Sequence, residues 1–341
     1  MRRILFVSAV LLMIVVSAAV HGQDLNFADL GDFPLESGRV IRDCKLGYRT
    51  FGTLNEDKSN AILIPTWFTG KTQDFIDRSV IGAGRIFDDT HYYLIAVDAF
   101  GNGVSSSPSN SKKQPGDTFP GFTITDMVNA QHKLLTEKLN LTHLYAVMGI
   151  SMGGMQTFQW MVSYPDFMDK AIPVAGTPQL TAYDMLLWTT ELSIIEAMHG
   201  KPQTEKQAMK IVAGIHTLAL STPTSVNSQT KPEDFSNILN DLEEKSGLFD
   251  ARDYAWQLKA MLDHNIAGSY GGSLEKIVSI IKAQPLVIFT KQDLMVNPEP
   301  VREFAGLMNA EILEISSDCG HMGVICEAER VGVAIARFLK K

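Results

Sequence analysis

Ser151 is where this chain shows its chemistry. It lies in Gly149-Ile150-Ser151-Met152-Gly153-Gly154, after an apolar, strand-forming run over 144–148 and before an amphipathic stretch. A strand that turns sharply into a helix lifts a serine Oγ above a sheet as a nucleophile. Glycines two positions to either side leave room for that strained turn. A serine hydroxyl is a weak nucleophile near neutral pH, so the turn requires a histidine to take its proton and a carboxylate to orient the histidine. With this kind of turn the partners follow in the order serine, acid, histidine, each on a loop at a strand end.

The C-terminal third supplies both partners. Pro285-Leu286-Val287-Ile288-Phe289-Thr290 reads as a buried strand that runs into Lys291-Gln292-Asp293, ahead of the breaker Asn297-Pro298. Ala310-Glu311-Ile312-Leu313-Glu314-Ile315 alternates like the next strand, and the polar turn Ser316-Ser317-Asp318-Cys319-Gly320-His321 follows it. Asp293 is thus the expected acid and His321 the expected base. Asp318 is a rival acid, but three residues before the histidine on one tight turn it is badly placed to reach the far ring nitrogen. Of the other histidines, His21 falls in the leader, and His91, His132, His143, His199, His216 and His264 lie outside the expected position.

The elements that must position these residues read as an α/β pattern. Short apolar runs at 40–51 (one strand or two), 61–66, 92–98, 144–149, 171–175, 286–290 and 311–315 alternate with helical patterns at 72–87, 126–139, 152–163, 300–308 and 327–339. That alternation predicts a mostly parallel central sheet flanked by helices. Between 178 and 272 the strand signal disappears, and 183–198, 205–220, 232–245 and 251–262 read as helices. This predicts a helical cap inserted between the sixth and seventh strands. The expected organisation is a leader at 1–22, a core at 23–178 and 273–341, and a cap at 179–272.

The 341 residues carry a net charge of −8 and are 45% hydrophobic, which fits one large domain plus an insertion and argues against a nucleic-acid partner. Arg2-Arg3, the apolar 4–16 and Ser17-Ala18-Ala19 have the regions of a secretory signal peptide, with a cut expected before Gln23. The apolar run falls short of the roughly 20 residues of a spanning helix, so no integral span is expected after cleavage. The expected localisation is secreted or periplasmic. No H-E-x-x-H, paired C-x-x-C or Walker-type loop occurs, and Gly82-Ala83-Gly84 and Gly101-Asn102-Gly103 are only fragments of a dinucleotide loop. Neither metal nor cofactor is expected. Cys44, Cys319 and Cys326 are odd in number; a 319 to 326 bridge has no spacing rule behind it, so the expectation is three small core or loop residues.

Several longer stretches resemble the homoserine O-acetyltransferase family of α/β-hydrolase-fold proteins. They are Phe100-Gly101-Asn102-Gly103, the long Phe119-Pro120-Gly121-Phe122-Thr123-Ile124-Thr125-Asp126-Met127-Val128-Asn129-Ala130-Gln131, the serine turn extended through Met155-Gln156, and Phe249-Asp250-Ala251-Arg252-Asp253-Tyr254. The resemblance covers nearly the whole mature chain. It implies that Ser151 is the nucleophile, Asp293 the acid and His321 the base. It also implies that Trp67-Phe68-Thr69-Gly70 is the oxyanion loop, with the backbone N–H groups of Phe68 and Met152 facing the developing charge.

Departures from the family bear on function. No arginine occurs between Arg85 and Arg252, although relatives that acylate homoserine carry one early in the cap. Only Lys201 stands near that place, as a point charge without the two-pronged geometry. The usual His-Ala-Leu-Thr-Gly segment reads Thr66-Trp67-Phe68-Thr69-Gly70 here, making Trp67 a candidate for the acyl pocket. The expectation is an exported serine hydrolase that cleaves a short-chain carboxylic ester through an acyl-enzyme. An acetyl-CoA-dependent O-acyltransferase is the alternative, and a catalytically silent binding protein the lesser one. The expected partner is a small ester or acyl substrate, and self-association into a homodimer is left open.

Overall fold

The structure, a computed structural model, describes residues 24–341. The leader expected at 1–22 lies outside the described residues. Eight strands form a single sheet: β1 (Asn26–Pro34), β2 (Val40–Phe51), β3 (Ala61–Pro65), β4 (Tyr93–Val97), β5 (Leu144–Ile150), β6 (Met168–Val174), β7 (Gln284–Thr290) and β8 (Glu311–Ile315). Their spatial order is β1-β2-β4-β3-β5-β6-β7-β8. β1 and β2 pair antiparallel, as do β2 and β4, and every later pairing is parallel. The central strands β3, β4 and β5 are apolar along nearly their whole length because helices cover both faces, whereas β6, β7 and β8 also carry polar or charged residues. In β3, Ala61 and Leu63 enter one core cluster while Ile62 and Ile64 enter the other.

Helices α1 (Thr72–Asp77), α2 (Ile124–Lys133) and α3 (Met152–Ser163) punctuate the first half. Between β6 and β7 come α4 (Ala182–Ala197), α5 (Pro202–Leu220), α6 (Pro223–Gln229), α7 (Phe235–Ser246), α8 (Ala251–Leu262) and α9 (Leu274–Val278). The chain closes with α10 (Pro298–Leu307), α11 (Gly323–Cys326) and α12 (Ala328–Leu339). One core cluster includes Phe158 and Trp160 of α3 with Phe304 of α10; the other includes Phe75 of α1 with Val331, Ile335 and Phe338 of α12. The sheet separates them.

Four local readings need correction. The run at 40–51 is one strand, and its antiparallel partner β1 escaped notice because its alternation is broken by irregular register at Gly31 and Phe33. The helix expected over 72–87 stops at Asp77, where Ser79 takes a left-handed φ of 51° and glycines at 82 and 84 follow. The helix expected to run to 139 leaves α geometry at Leu134 for a π turn. The Pro-containing connection after residue 221 contains α6, with Pro223 at its first turn and Thr222 accepting the Ser225 N–H.

Candidate active site

Ser151 sits between β5 and α3 with φ 58° and ψ −121°, a conformation that costs a non-glycine residue on the order of 1–3 kcal/mol. The surroundings hold it there. Ser151 N–H donates to the Val174 carbonyl at 2.8 Å, and its own carbonyl accepts the Met155 N–H at 3.0 Å. A Cβ at Gly149 would lie 2.4 Å from the Gly153 carbonyl oxygen, and one at Gly153 would lie 2.5 Å from that of Pro65. Backbone occupies the space on both sides, so neither position admits a side chain without moving the turn.

The structure brings Asp293 and His321 to this serine. Asp293 follows β7 and His321 follows β8, so all three groups stand at the carboxyl ends of parallel strands, where open α/β sheets place their sites. His321 Nε2 is 3.0 Å from Ser151 Oγ, and Nδ1 is 2.6 Å from Asp293 Oδ2. The acid's other oxygen accepts the N–H groups of Met295 and Val296, both at 2.8 Å. Both side chains are almost fully buried. Asp318 is exposed; its carbonyl receives the Thr222 hydroxyl, and its carboxylate faces Gln292. The expectation of three unpaired cysteines fails, because Cys319 and Cys326 form a disulfide around the histidine while Cys44 stays free and buried. A turn of α11 brings the two sulfurs together, which spacing alone did not reveal.

The chain leaving β3 meets the serine turn at Pro65 and Thr66 and continues through Phe68 and Thr69. Neither Phe68 N–H nor Met152 N–H donates to a protein acceptor among the described residues, Met152 being the first residue of α3. Backbone donors left unpaired near a serine hydroxyl are of the kind that can stabilise a developing oxyanion. The Phe68 ring faces the cap, 4.5 Å from the ring of Tyr254 in an edge-to-face contact and 5.8 Å from His216. Trp67 goes elsewhere: its ring packs edge-on against Phe75, with the Arg78 guanidinium over it, in the opposite core cluster. It is therefore a loop-packing residue rather than part of an acyl pocket, because consecutive side chains on this stretch point to opposite sides.

Lys201 is also displaced from the role the sequence offered it. It caps the exposed start of α5, whose far end abuts the histidine turn: a Cβ at Gly320 would lie 3.1 Å from the Leu220 carbonyl oxygen. The helix between them has 19 residues, so Lys201 stands about 28 Å away at 1.5 Å per residue. Four other cap cations are paired with acids. Lys206 and Lys210 meet Glu243, Lys259 meets Glu196, and Arg252 meets Glu205 and Asp117.

The cap is pinned to three of the strand-end loops. Asp184 of α4 accepts the Asn297 N–H, Thr222 donates to Asp318, and Gln257 of α8 accepts the Thr69 N–H. Sequence reasoning passed over all three, along with the buried group in which the Tyr254 hydroxyl donates to Glu191 Oε2 at 2.9 Å beside His216 Nδ1. Burial and the Glu191 carboxylate hold the Tyr254 phenol well above its usual range. A cavity of about 180 Å³ opens beside the loop, lined by Thr69, Lys71, Asn102, Ser109, Asp253 and Tyr254 among others, but not by Ser151. Burial pushes Asp253 up to about 6 there, although Ser109 donates to both carboxylate oxygens.

The comparisons with known proteins agree with this architecture. A family model described as alpha/beta hydrolase fold matches residues 62–328, and the chain belongs to that family. Within it, esterase-named relatives make the chain an enzyme of the hydrolase class. The chain is 32% identical over 335 residues to a probable esterase of Corynebacterium glutamicum, covering 92% of this chain and 94% of that protein. It is 31% identical over 357 residues to a homoserine O-acetyltransferase of Methanosalsum zhilinae, covering 90% of this chain and 71% of the other. The solved structure of an acetylester hydrolase from Corynebacterium glutamicum superposes with a TM-score of 0.84 at 30% identity, over 93% of this chain and 95% of that one.

Proposed function

We propose that this protein is a serine esterase that cleaves short-chain carboxylic esters through an acyl-enzyme. The observation that carries the reading is the continuous hydrogen-bonded path from Asp293 through His321 to Ser151 Oγ. Ser151 Oγ attacks the ester carbonyl carbon as its proton passes to His321 Nε2, and the carbonyl oxygen takes up negative charge facing the N–H groups of Phe68 and Met152. Collapse of that intermediate breaks the bond to the alkoxy oxygen, which leaves as the alcohol with the proton from His321. Water then gives its proton to His321 and attacks the acyl carbon, and the carboxylic acid departs as Ser151 regains its proton. Asp293 stays ionised throughout and stabilises the imidazolium.

Partition to water rather than to an amino-acid acceptor is supported by the cap. A free amino acid brings a carboxylate, and leaving that charge unpaired in a partly dry site costs several kcal/mol. Lys201 is a helix length away and Arg252 is paired with two acids. The acyl group is read as short because a structural relative is an acetylester hydrolase. The test is to incubate the protein with nitrophenyl esters of increasing chain length and, separately, with acetyl-CoA plus homoserine, with products read by mass spectrometry. Hydrolysis of the acetyl and butyryl esters is expected, unaffected by homoserine. Saturable formation of O-acetylhomoserine faster than ester hydrolysis would overturn the reading in favour of an O-acyltransferase, which the relative of that name supports. Export belongs to the same proposal: the charged and apolar start favours it, and so does a disulfide with one exposed partner, since such bonds persist in oxidising compartments.

A further inference from the structure

The loop that carries the Phe68 N–H is fixed mostly by its immediate core. Thr66 donates its N–H to Val97 at 3.0 Å, and its carbonyl accepts Gln156 Nε2 at 3.0 Å. Gly70 donates to Trp67 at 3.0 Å, and its carbonyl accepts Asn102 Nδ2 at 2.9 Å. One peptide between these anchors is held from far away. The Thr69 N–H donates to Gln257 Oε1 at 2.7 Å, across 188 residues of sequence. Gln257 is fully buried on α8 and uses both ends of its amide, since Nε2 donates to the Phe100 carbonyl at 2.7 Å. The chain after β4 makes room for it: Gly101 has φ 76°, and a Cβ there would lie 3.0 Å from Gln257 Cγ. Thr69 itself has φ 59°, an unfavourable conformation for a residue with a branched Cβ unless its neighbours hold it.

We propose that Gln257 is a positioning residue for ester cleavage, setting the oxyanion loop from the cap. By holding the plane of the Phe68–Thr69 peptide it restrains ψ of Phe68, and so limits how far the backbone that carries the Phe68 N–H can turn. Tyr254, three residues earlier on the same helical face, holds the Phe68 ring. The inference rests on the reading of Ser151 as nucleophile and Phe68 N–H as oxyanion donor, and it adds that the cap supplies part of the transition-state geometry.

The test compares wild type with Gln257→Met and Gln257→Glu. Each is assayed on p-nitrophenyl acetate and for inhibition by a trifluoromethyl ketone, whose carbonyl carbon accepts Ser151 Oγ and whose oxygen becomes an oxyanion. Removing a direct oxyanion donor costs about 10²–10³ in kcat, so loosening one is expected to cost about 10- to 100-fold, with KM little changed and ketone affinity falling in parallel. The carboxyl introduced by Gln257→Glu can, when protonated, accept from Thr69 and donate to Phe100 as the amide does, so Gln257→Glu should outperform Gln257→Met at pH 5. It should then lose activity relative to wild type as pH rises and the carboxyl ionises. The inference is overturned if Gln257→Met stays within about twofold of wild type in kcat and ketone affinity, a range too small for a displaced donor, or if its loss falls in KM alone. Should Gln257→Met fail to fold, Gln257→Glu decides: activity relative to wild type that does not change between pH 5 and pH 9 overturns the inference. Fluorophosphonate labelling of wild type separates the two levels. If wild type is neither labelled at Ser151 nor inhibited by the ketone, the esterase reading falls; if it is both and the variants match it, only the role of Gln257 falls.

Discussion

Replacing Asp293 by asparagine perturbs the site by a single atom, and the structure dictates how that atom must lie. Asp293 Oδ1 accepts two backbone N–H groups, from Met295 and Val296, each at 2.8 Å. Only an oxygen can occupy that place, so in Asp293→Asn the amide NH₂ is forced towards His321 Nδ1, where Oδ2 now stands at 2.6 Å. An N–H donor there requires Nδ1 to be the acceptor, which moves the ring proton to Nε2, facing Ser151 Oγ. The base is then occupied. Reversing the amide would leave two buried N–H groups without acceptors at about 1–3 kcal/mol each. Both routes lead to a loss of about 10³- to 10⁴-fold in kcat, or about 4–5.5 kcal/mol of barrier. Asp293→Ala imposes no tautomer, so it should be the less damaged variant despite removing more of the side chain. The assay is kcat on p-nitrophenyl acetate for both variants, each checked for a wild-type-like thermal transition. An asparagine variant more active than the alanine variant, or one reduced less than about tenfold, would refute the argument.

A fluorophosphonate should add once, at Ser151, and Ser151→Ala should abolish both labelling and turnover; peptide mapping that finds the label elsewhere removes the nucleophile assignment. His264 is buried with Nε2–H donating to the Thr177 carbonyl at 2.9 Å, and burial depresses its pKa to about 4. The unfolded ring titrates near 6.5, so its contribution is fully present above that pH and is lost as pH falls towards 4, by about 3 kcal/mol. Urea titrations from pH 7 to 4 should therefore show an acid limb that His264→Gln flattens. Removing both Cys319 and Cys326 opens a ring that contains His321, and should cost about 2–3 kcal/mol of stability together with a measurable part of kcat. The mature protein recovered from its native host should begin at or near Gln23 and lie outside the cytoplasm, as N-terminal sequencing of fractionated cells would show.

The parts of this molecule that were legible in the sequence are those written by local chemistry. The serine turn announces itself because its two glycines flank Ser151 at a fixed spacing, although the atoms that require them belong to Gly153 and to Pro65, and the ranges of α3 and α8 read directly from their periodicity. Asp293 and His321 could be paired with Ser151 because strand ends gather at one edge of a parallel sheet, whatever their separation along the chain. What stayed hidden depends on meetings that no local pattern encodes. Gln257 looks like any polar residue of an amphipathic helix until Thr69 is found against it. Trp67 and Phe68 are adjacent aromatics that sequence cannot orient, yet one enters each core cluster. Lys201 occupied the expected stretch of the cap but the wrong end of α5.

Because Gln257 ties α8 to the loop after β3, the covalent insertion and the mechanical one end at different residues. Anyone building chimaeras in this family to alter substrate range would naturally cut where the strands stop and resume, exchanging everything between β6 and β7. Such a graft would carry away the acceptor for Thr69 and the ring that holds Phe68, and would import whatever the donor's helix puts there. A junction placed before Asp250, whose side chain caps α8, would exchange α4 to α7 and leave the clamp with the sheet it serves. Seen as an engineering part, α8 belongs to the scaffold, and the replaceable module is the stretch of cap that precedes it.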